Sequence, residues 1–157
     1  MDKERLVLLN AEIEFQTKEI EDIYSKLDER SKERTQLAIE SLGYQLHNLY
    51  CAFEDLFKII SKFFENHIED KSRYHSELLK KMAYSIEDVR PAFLSRQSMN
   101  LLDNLRAFRH FFRHAYSYTL DERKIWIVYE DAMKLREVYK LDYEAFFRAL
   151  KKNHDGV

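Results

Sequence analysis

The sequence predicts an all-α protein, folded as a compact bundle of about five to six helices. Its 157 residues include only two glycines and one proline, while residues with high helix propensity are abundant. Apolar residues recur three or four positions apart, and no segment alternates apolar and polar residues as a strand does. The length predicts a single domain over residues 1–157 that can bury its own core.

The first two predicted helices are long. A stripe of apolar residues predicts a helix over 3–28, and the polar run 28–34 predicts a turn in which Ser31 would cap the next helix. A second helix is expected from Gln36 to about Asn66. Gly43 lies inside it, where glycine costs about 1 kcal/mol relative to alanine. Either another helix approaches closely at Gly43, or the glycine is merely tolerated.

The second half of the chain predicts three or four more helices. A third helix is expected over Ser72–Tyr84, and Pro91 ends that pattern. A fourth is expected from Ser95 to about Tyr116. Thr119 and Glu122 have the spacing of a capping box that would start a fifth helix. A final short helix is expected from Asp142, followed by a disordered tail over 153–157.

A cationic segment stands out on a chain whose formal net charge is -2. No acidic residue occurs between Asn104 and Leu120. Arginine binds phosphate through a fixed fork of donors, and histidine exchanges protons near neutral pH. Such a cluster suits metal-free RNA cleavage, in which the ribose 2′-hydroxyl attacks the adjacent phosphate. On a helix, one stripe would hold the arginines and a neighbouring one the histidines: Arg106, Arg109, Arg113, His110 and His114.

Other interpretations of this segment are a solvated or salt-bridged helix face and half of a zinc site. His110 and His114, one turn apart, could bind zinc with further ligands from other parts of the chain, although no CxxC or HExxH pattern is present. The possible further ligands are a carboxylate, His47, His67, His75 and Cys51. Cys51 is otherwise expected to be a buried structural thiol.

The N-terminus is charged, and no apolar run approaches the ~18 residues that a membrane span needs. We therefore expect no signal peptide, no transmembrane helix and no membrane partner. The expected location is the cytoplasm.

The segment Arg109–Tyr116 fits the pattern Arg-x4-His-x-Tyr, with a polar residue, His110, directly after the arginine. This pattern resembles the signature of HEPN-domain ribonucleases, in particular the HepT toxins of HEPN/MNT toxin–antitoxin pairs. The segment Gly43–Phe57 also resembles the long second helix of HepT-like proteins. The resemblance covers roughly residues 5 to 140.

The resemblance implies a helical bundle that forms a two-fold homodimer through the motif-bearing helices, with two Arg/His pairs in one cleft. In this family Arg109 would stabilise the phosphate in the transition state, and His114 would be the general acid and base. His110 would orient these groups or contact RNA, while Arg106 and Arg113 would contact the RNA backbone. The RNA product would carry a 2′,3′-cyclic phosphate, and neither metal nor cofactor would be needed.

The resemblance also implies that Tyr116 accepts AMP groups from a partner MNT nucleotidyltransferase antitoxin, which uses ATP and magnesium. Tyr116 could instead simply pack at the helix end, and Tyr118 is a second possible acceptor. A non-catalytic HEPN module that binds nucleotide or a partner protein through the same cleft is the alternative function. A helical assembly protein whose basic stripe has no catalytic role is a third possibility.

Overall fold

In a computed structural model of the chain, residues 2–65, 74–117 and 119–155 are described. The regular elements among these residues are all helices, with no strand, so the predicted all-α bundle is confirmed. A short 3-10 helix over Ala115–Ser117 links the last two α-helices. The five α-helices are α1 (Lys3–Arg30), α2 (Gln36–Phe64), α3 (Tyr74–Met82), α4 (Arg96–Arg113) and α5 (Glu122–Asp155).

The turn between α1 and α2 differs from the prediction in its capping residue. Ser31 does not cap α2; it ends α1, and its hydroxyl donates to the Asp28 carbonyl at 2.8 Å. Thr35 is the N-cap of α2, because its backbone is extended and its side chain accepts from the Ala38 N–H at 3.2 Å. The predicted last residue of α2, Asn66, and the predicted first residue of α3, Ser72, lie outside the described residues.

The start of α5 is also capped by a different residue. The Asp121 carboxylate accepts from the Arg123 N–H at 3.0 Å, and the Asp121 carbonyl accepts from the Ile125 N–H. Glu122 is therefore the first residue of α5 rather than the third, and the capping box predicted with Thr119 as N-cap is wrong. An aspartate directly before the helix satisfies the free N–H groups better than a threonine two residues earlier.

A single helix, α5, replaces the two helices predicted for the C-terminal part of the chain. No glycine or proline interrupts residues 138–142, so the helix continues through Asp142. The Asp142 carboxylate instead accepts from both the N–H and the hydroxyl of Ser95, each at 3.0 Å, and so anchors the residue that caps α4. α5 reaches Asp155, so residues 153–155 of the expected disordered tail are helical, whereas 156–157 lie outside the described residues.

The central helix of the bundle is α2, which contacts each of the other four α-helices. Its buried residues lie on several sides and join one hydrophobic core with the other helices. Gly43 permits a close approach: a Cβ added there would lie 3.0 Å from Phe112 Cε2 and 3.3 Å from Leu120 Cδ1. The close-approach interpretation of Gly43 is therefore the one that the structure supports, and the approaching residue belongs to α4.

The loop that precedes α4 is held by a buried charge. The Arg90 side chain is fully buried, and its Nε donates to Glu65 Oε1 at 2.9 Å. Its other nitrogens donate to the backbone carbonyls of Lys81, Tyr84 and Pro91. Because these carbonyls come from the end of α3 and the following loop, Arg90 fixes the path of the chain into α4.

Candidate active site

The cationic residues occupy the side of α4 that is turned away from the core. Leu105 and Phe108 are buried on the inner side, whereas His110, Arg113 and His114 are exposed. Arg106 and Arg109 are half-buried between these two sides. The residues whose spacing predicted a cluster therefore lie together on the surface at the C-terminal half of α4.

The three arginines differ in their partners. Arg106 Nε donates to Asp103 Oδ1 at 2.8 Å, so its charge is partly neutralised within α4. In the described ranges 2–65, 74–117 and 119–155, no carboxylate lies within ion-pair distance of Arg109 or Arg113. An arginine without a carboxylate partner keeps its donors available for an anion from outside. The salt-bridged interpretation thus describes Arg106, whereas the exposed Arg113 fits a solvated face.

A side chain of α2 contacts Arg109 directly. Arg109 Nε donates to Cys51 Sγ at 3.3 Å, and Cys51 Sγ lies 3.8 Å from His47 Nδ1. Cys51 is therefore half-buried at the candidate site, not the fully buried structural thiol expected from sequence. The sequence predicts no role for His47 in RNA cleavage, only that of a possible zinc ligand. The signal that could have placed both residues is the spacing of Gly43, His47 and Cys51, which puts them on one face of α2.

The surroundings of His47 disfavour its charged form. Burial lowers the pKa of His47 below its ordinary value, and the nearby positive charges of Arg109 and Arg113 lower it further. The His47 ring also lies 5.5 Å from the ring of Phe112, between centroids. The neutral form of His47 is therefore favoured, beside two arginines that stay charged.

The histidines of α4 lie at its end. The rings of His110 and His114 are 5.0 Å apart, one helical turn from each other. His114 is the C-cap residue of α4, and its backbone N–H donates to the Phe111 carbonyl at 3.1 Å. Within the part of the chain that the structure describes, no group of three or more His, Cys, Asp or Glu side chains is arranged to hold a metal ion. His67, one of the possible zinc ligands, lies outside that part.

Tyr116 projects into solvent from the 3-10 helix. Its side chain is 91% exposed, whereas the preceding Ala115 is buried. This exposure contradicts the interpretation that Tyr116 packs at the helix end. An open groove of about 590 Å³ lies beside it, lined by Gln36, Glu40, Phe112, Arg113, Ala115, Tyr116, Thr119 and Leu120. Tyr118 lies outside the described residues.

In a comparison with protein families, the model of the family described as "HepT-like protein" matches residues 41–150. This range covers more than half of the chain and includes every candidate residue on α2 and α4. The chain belongs to the HepT-like family. HepT-like proteins are HEPN-family proteins of toxin–antitoxin systems. Comparisons with curated proteins and with solved structures give no match.

The matched range contains all of α4 and all of α2 except its first five residues, whereas α1 lies outside it. The described helices of this HepT-like protein include none with the length and apolar character that crossing a bilayer requires.

Proposed function

We propose that this HepT-like protein is a metal-independent endoribonuclease, the toxin of a toxin–antitoxin pair. The observation that carries the proposal is that α4 bears both Arg109, which has no carboxylate partner among the described residues, and the exposed His114, its C-cap residue. The family match supports it, because this helix lies inside the matched range. The cleavage would leave a 2′,3′-cyclic phosphate and a free 5′-hydroxyl.

The reaction needs a proton acceptor, a proton donor and a cation. The RNA 2′-oxygen attacks the adjacent phosphorus as its proton passes to one imidazole, and the bond from phosphorus to the 5′-oxygen breaks as a second imidazole protonates that oxygen. Arg109 would stabilise the charge on the pentacoordinate phosphorus. His114 would act as acid and base, with His110 orienting these groups or contacting RNA. Arg113 would contact the RNA backbone, and Arg106 less strongly because Asp103 already binds it.

One His114 per chain supplies only one of the two proton-transfer groups, so we propose a two-fold homodimer in which the α4 helices face each other. Large apolar side chains next to the site support an interface there. Phe111 on α4 is 39% exposed, and Tyr44 on α2 is 55% exposed. Aromatic residues of this kind are enriched in subunit interfaces.

We further propose that a partner MNT nucleotidyltransferase antitoxin silences the ribonuclease by AMPylation of Tyr116. The phenol oxygen would attack the α-phosphorus of ATP, held with magnesium by the antitoxin, and pyrophosphate would leave. The exposure of Tyr116 makes its hydroxyl accessible, and Arg113 lines the same groove. The added phosphodiester charge would bind arginines that the RNA phosphate needs. RNA cleavage itself would need neither ATP nor metal.

A cleavage assay in EDTA tests the proposal. The unmodified protein should cleave RNA and leave 2′,3′-cyclic phosphate ends, and His114→Ala should lose about 10²–10⁴-fold in rate because an acid–base group is removed. Arg109→Ala should lose a similar factor, whereas Arg148→Ala, on the exposed side of α5, is the matched arginine control and should cleave normally. Mass spectrometry after incubation with the antitoxin, ATP and magnesium should find AMP on Tyr116 and not on a Tyr116→Phe variant.

If the folded, unmodified dimer cleaves no RNA, the ribonuclease assignment fails. Binding of nucleotide or of a partner protein that is lost in Arg109→Ala would then assign the same cleft to a non-catalytic HEPN module. If neither Arg109→Ala nor His114→Ala changes RNA cleavage or binding, the cleft has neither of these two functions.

A further inference from the structure

We propose that His47 of α2 is a neutral hydrogen-bond donor to the RNA phosphate, and that Cys51 is a positioning residue that keeps the donor proton on the Nε2 atom of His47. The inference rests on the proposed ribonuclease function and adds a residue from a second helix to its site. It starts from the contact chain that joins Arg109, Cys51 and His47 across α4 and α2.

The hydrogen-bonding capacity of a thiol decides which nitrogen of His47 is protonated. A neutral thiol has one hydrogen to donate and is a weak acceptor. Cys51 Sγ already accepts from Arg109 Nε at 3.3 Å, since an arginine N–H can only donate. The thiol hydrogen is then free to point at His47 Nδ1, 3.8 Å away. When Nδ1 accepts, the single proton of the neutral imidazole resides on Nε2.

The charges around His47 agree with a neutral ring. Burial and the two guanidinium groups of Arg109 and Arg113 hold the pKa of His47 below its ordinary value. The Phe112 ring lies against the imidazole, and no carboxylate among the described residues contacts it to favour a positive charge. A neutral His47, half-buried beside these arginines, would offer one N–H without adding a third positive charge.

This protonation state gives His47 a role different from that of His114. A general base would need Nε2 free of its proton, which would place the proton on Nδ1, facing a sulfur that already accepts from Arg109. A neutral N–H donor beside two arginines would instead bind a non-bridging phosphate oxygen and strengthen that bond as charge develops in the transition state. The proton transfers stay with the exposed histidines of α4.

Amide substitutions separate the two roles because they can donate but cannot act as bases. The terminal amide nitrogen of glutamine approximates the position of Nε2, and that of asparagine approximates Nδ1. We expect His47→Gln to retain activity within about threefold, and His47→Asn and His47→Ala to lose on the order of 10²-fold, the cost of one oxyanion donor. Thermal unfolding checks that all three variants fold. Equal, large losses in all three would overturn the donor role, as would wild-type activity in all three.

Nitrogen-15 NMR of histidine-labelled protein measures the tautomer without any RNA. We expect His47 to be protonated on Nε2 and unprotonated on Nδ1. We expect Cys51→Ser to keep this state, because its hydroxyl also donates, and Cys51→Ala to let the tautomers mix. Protonation of Nδ1, alone or in an imidazolium paired with a thiolate, would overturn the assignment.

Binding of a non-cleavable 2′-O-methyl RNA distinguishes failure of this inference from failure of the proposed function. If the wild type cleaves RNA but His47→Gln is as inactive as His47→Ala, the ribonuclease stands and the donor role of His47 falls. If the wild type cleaves nothing, but binds 2′-O-methyl RNA as His47→Gln does and more tightly than His47→Ala does, the phosphate contact stands and the cleavage function falls.

Discussion

Replacing Gly43 by alanine adds one methyl group where α2 meets α4. The new Cβ would lie 3.0 Å from Phe112 Cε2, 3.3 Å from Leu120 Cδ1 and 3.4 Å from Ile125 Cδ1. Alanine in a helix interior is favoured over glycine by about 1 kcal/mol, whereas overpacking a filled site costs about 1–3 kcal/mol. Because Phe112 also packs on the rings of Phe108 and His47, it has little room to move. We expect the free energy of unfolding to fall by about 1 kcal/mol.

Urea denaturation followed by circular dichroism measures this change. A double variant, Gly43→Ala with Phe112→Leu, removes the ring that the new methyl meets, and Phe112→Leu alone is its matched control. The double-mutant cycle should show a favourable coupling of about 1 kcal/mol or more between the two substitutions. If Gly43→Ala stabilises the protein by its full helix propensity and the coupling is zero, then α2 and α4 do not approach as described.

Three further predictions concern stability. Arg90→Leu should lower the free energy of unfolding by about 3–5 kcal/mol, because Glu65 and three backbone carbonyls lose a buried partner. Urea denaturation measures this change, and a loss of less than about 1 kcal/mol would contradict the prediction. Burial raises the pKa of Glu21, but the Tyr139 hydroxyl at 2.8 Å and nearby cations outweigh burial and hold the pKa below its ordinary value. Ionised Glu21 therefore stabilises the fold at pH values above its unfolded-state pKa. This stabilisation is lost as the pH falls through the lower folded-state pKa. Tyr139→Phe should shrink that acid-side loss in stability curves measured from neutral to strongly acidic pH. Asp121→Ala should lower the midpoint of urea denaturation, as expected for loss of an N-cap.

The spacing of apolar residues predicted which segments are helical better than it predicted where each helix begins and ends. The apolar stripes place α1, α2 and α4 within a few residues because each helix buries one continuous face. The ends depend on which of several polar residues captures the free N–H groups, so Thr35 could not be distinguished from Ser31 by type alone. Asp142 shows the same limit, since it resembles an N-cap of its own helix but binds Ser95, 47 positions away.

In the candidate site, too, the sequence predicted some features and not others. Helical spacing placed Arg109, His110 and Arg113 on one surface, because that surface belongs to a single helix. The contacts of His47 and Cys51 with that surface depend on how α2 and α4 pack. The spacing of His47 and Cys51 shows that they share a face with Gly43, but it does not show which helix packs on that face. Gly43, which permits the approach, was the one signal in the sequence that another helix comes near this part of α2.

The central position of α2 affects how readily different parts of the protein unfold locally. A helix that contacts each of its four neighbours can open only when most of the core opens, so its amide hydrogens should exchange with solvent at rates set by global unfolding. The 3-10 helix that carries Tyr116 is one turn long, and the Tyr116 side chain projects into water although Ala115 is buried. We therefore expect the amide hydrogens near His47 and Cys51 to exchange with solvent more slowly than those of the 3-10 helix. The tyrosine proposed to accept AMP would then lie on a segment that opens locally while α2 stays closed.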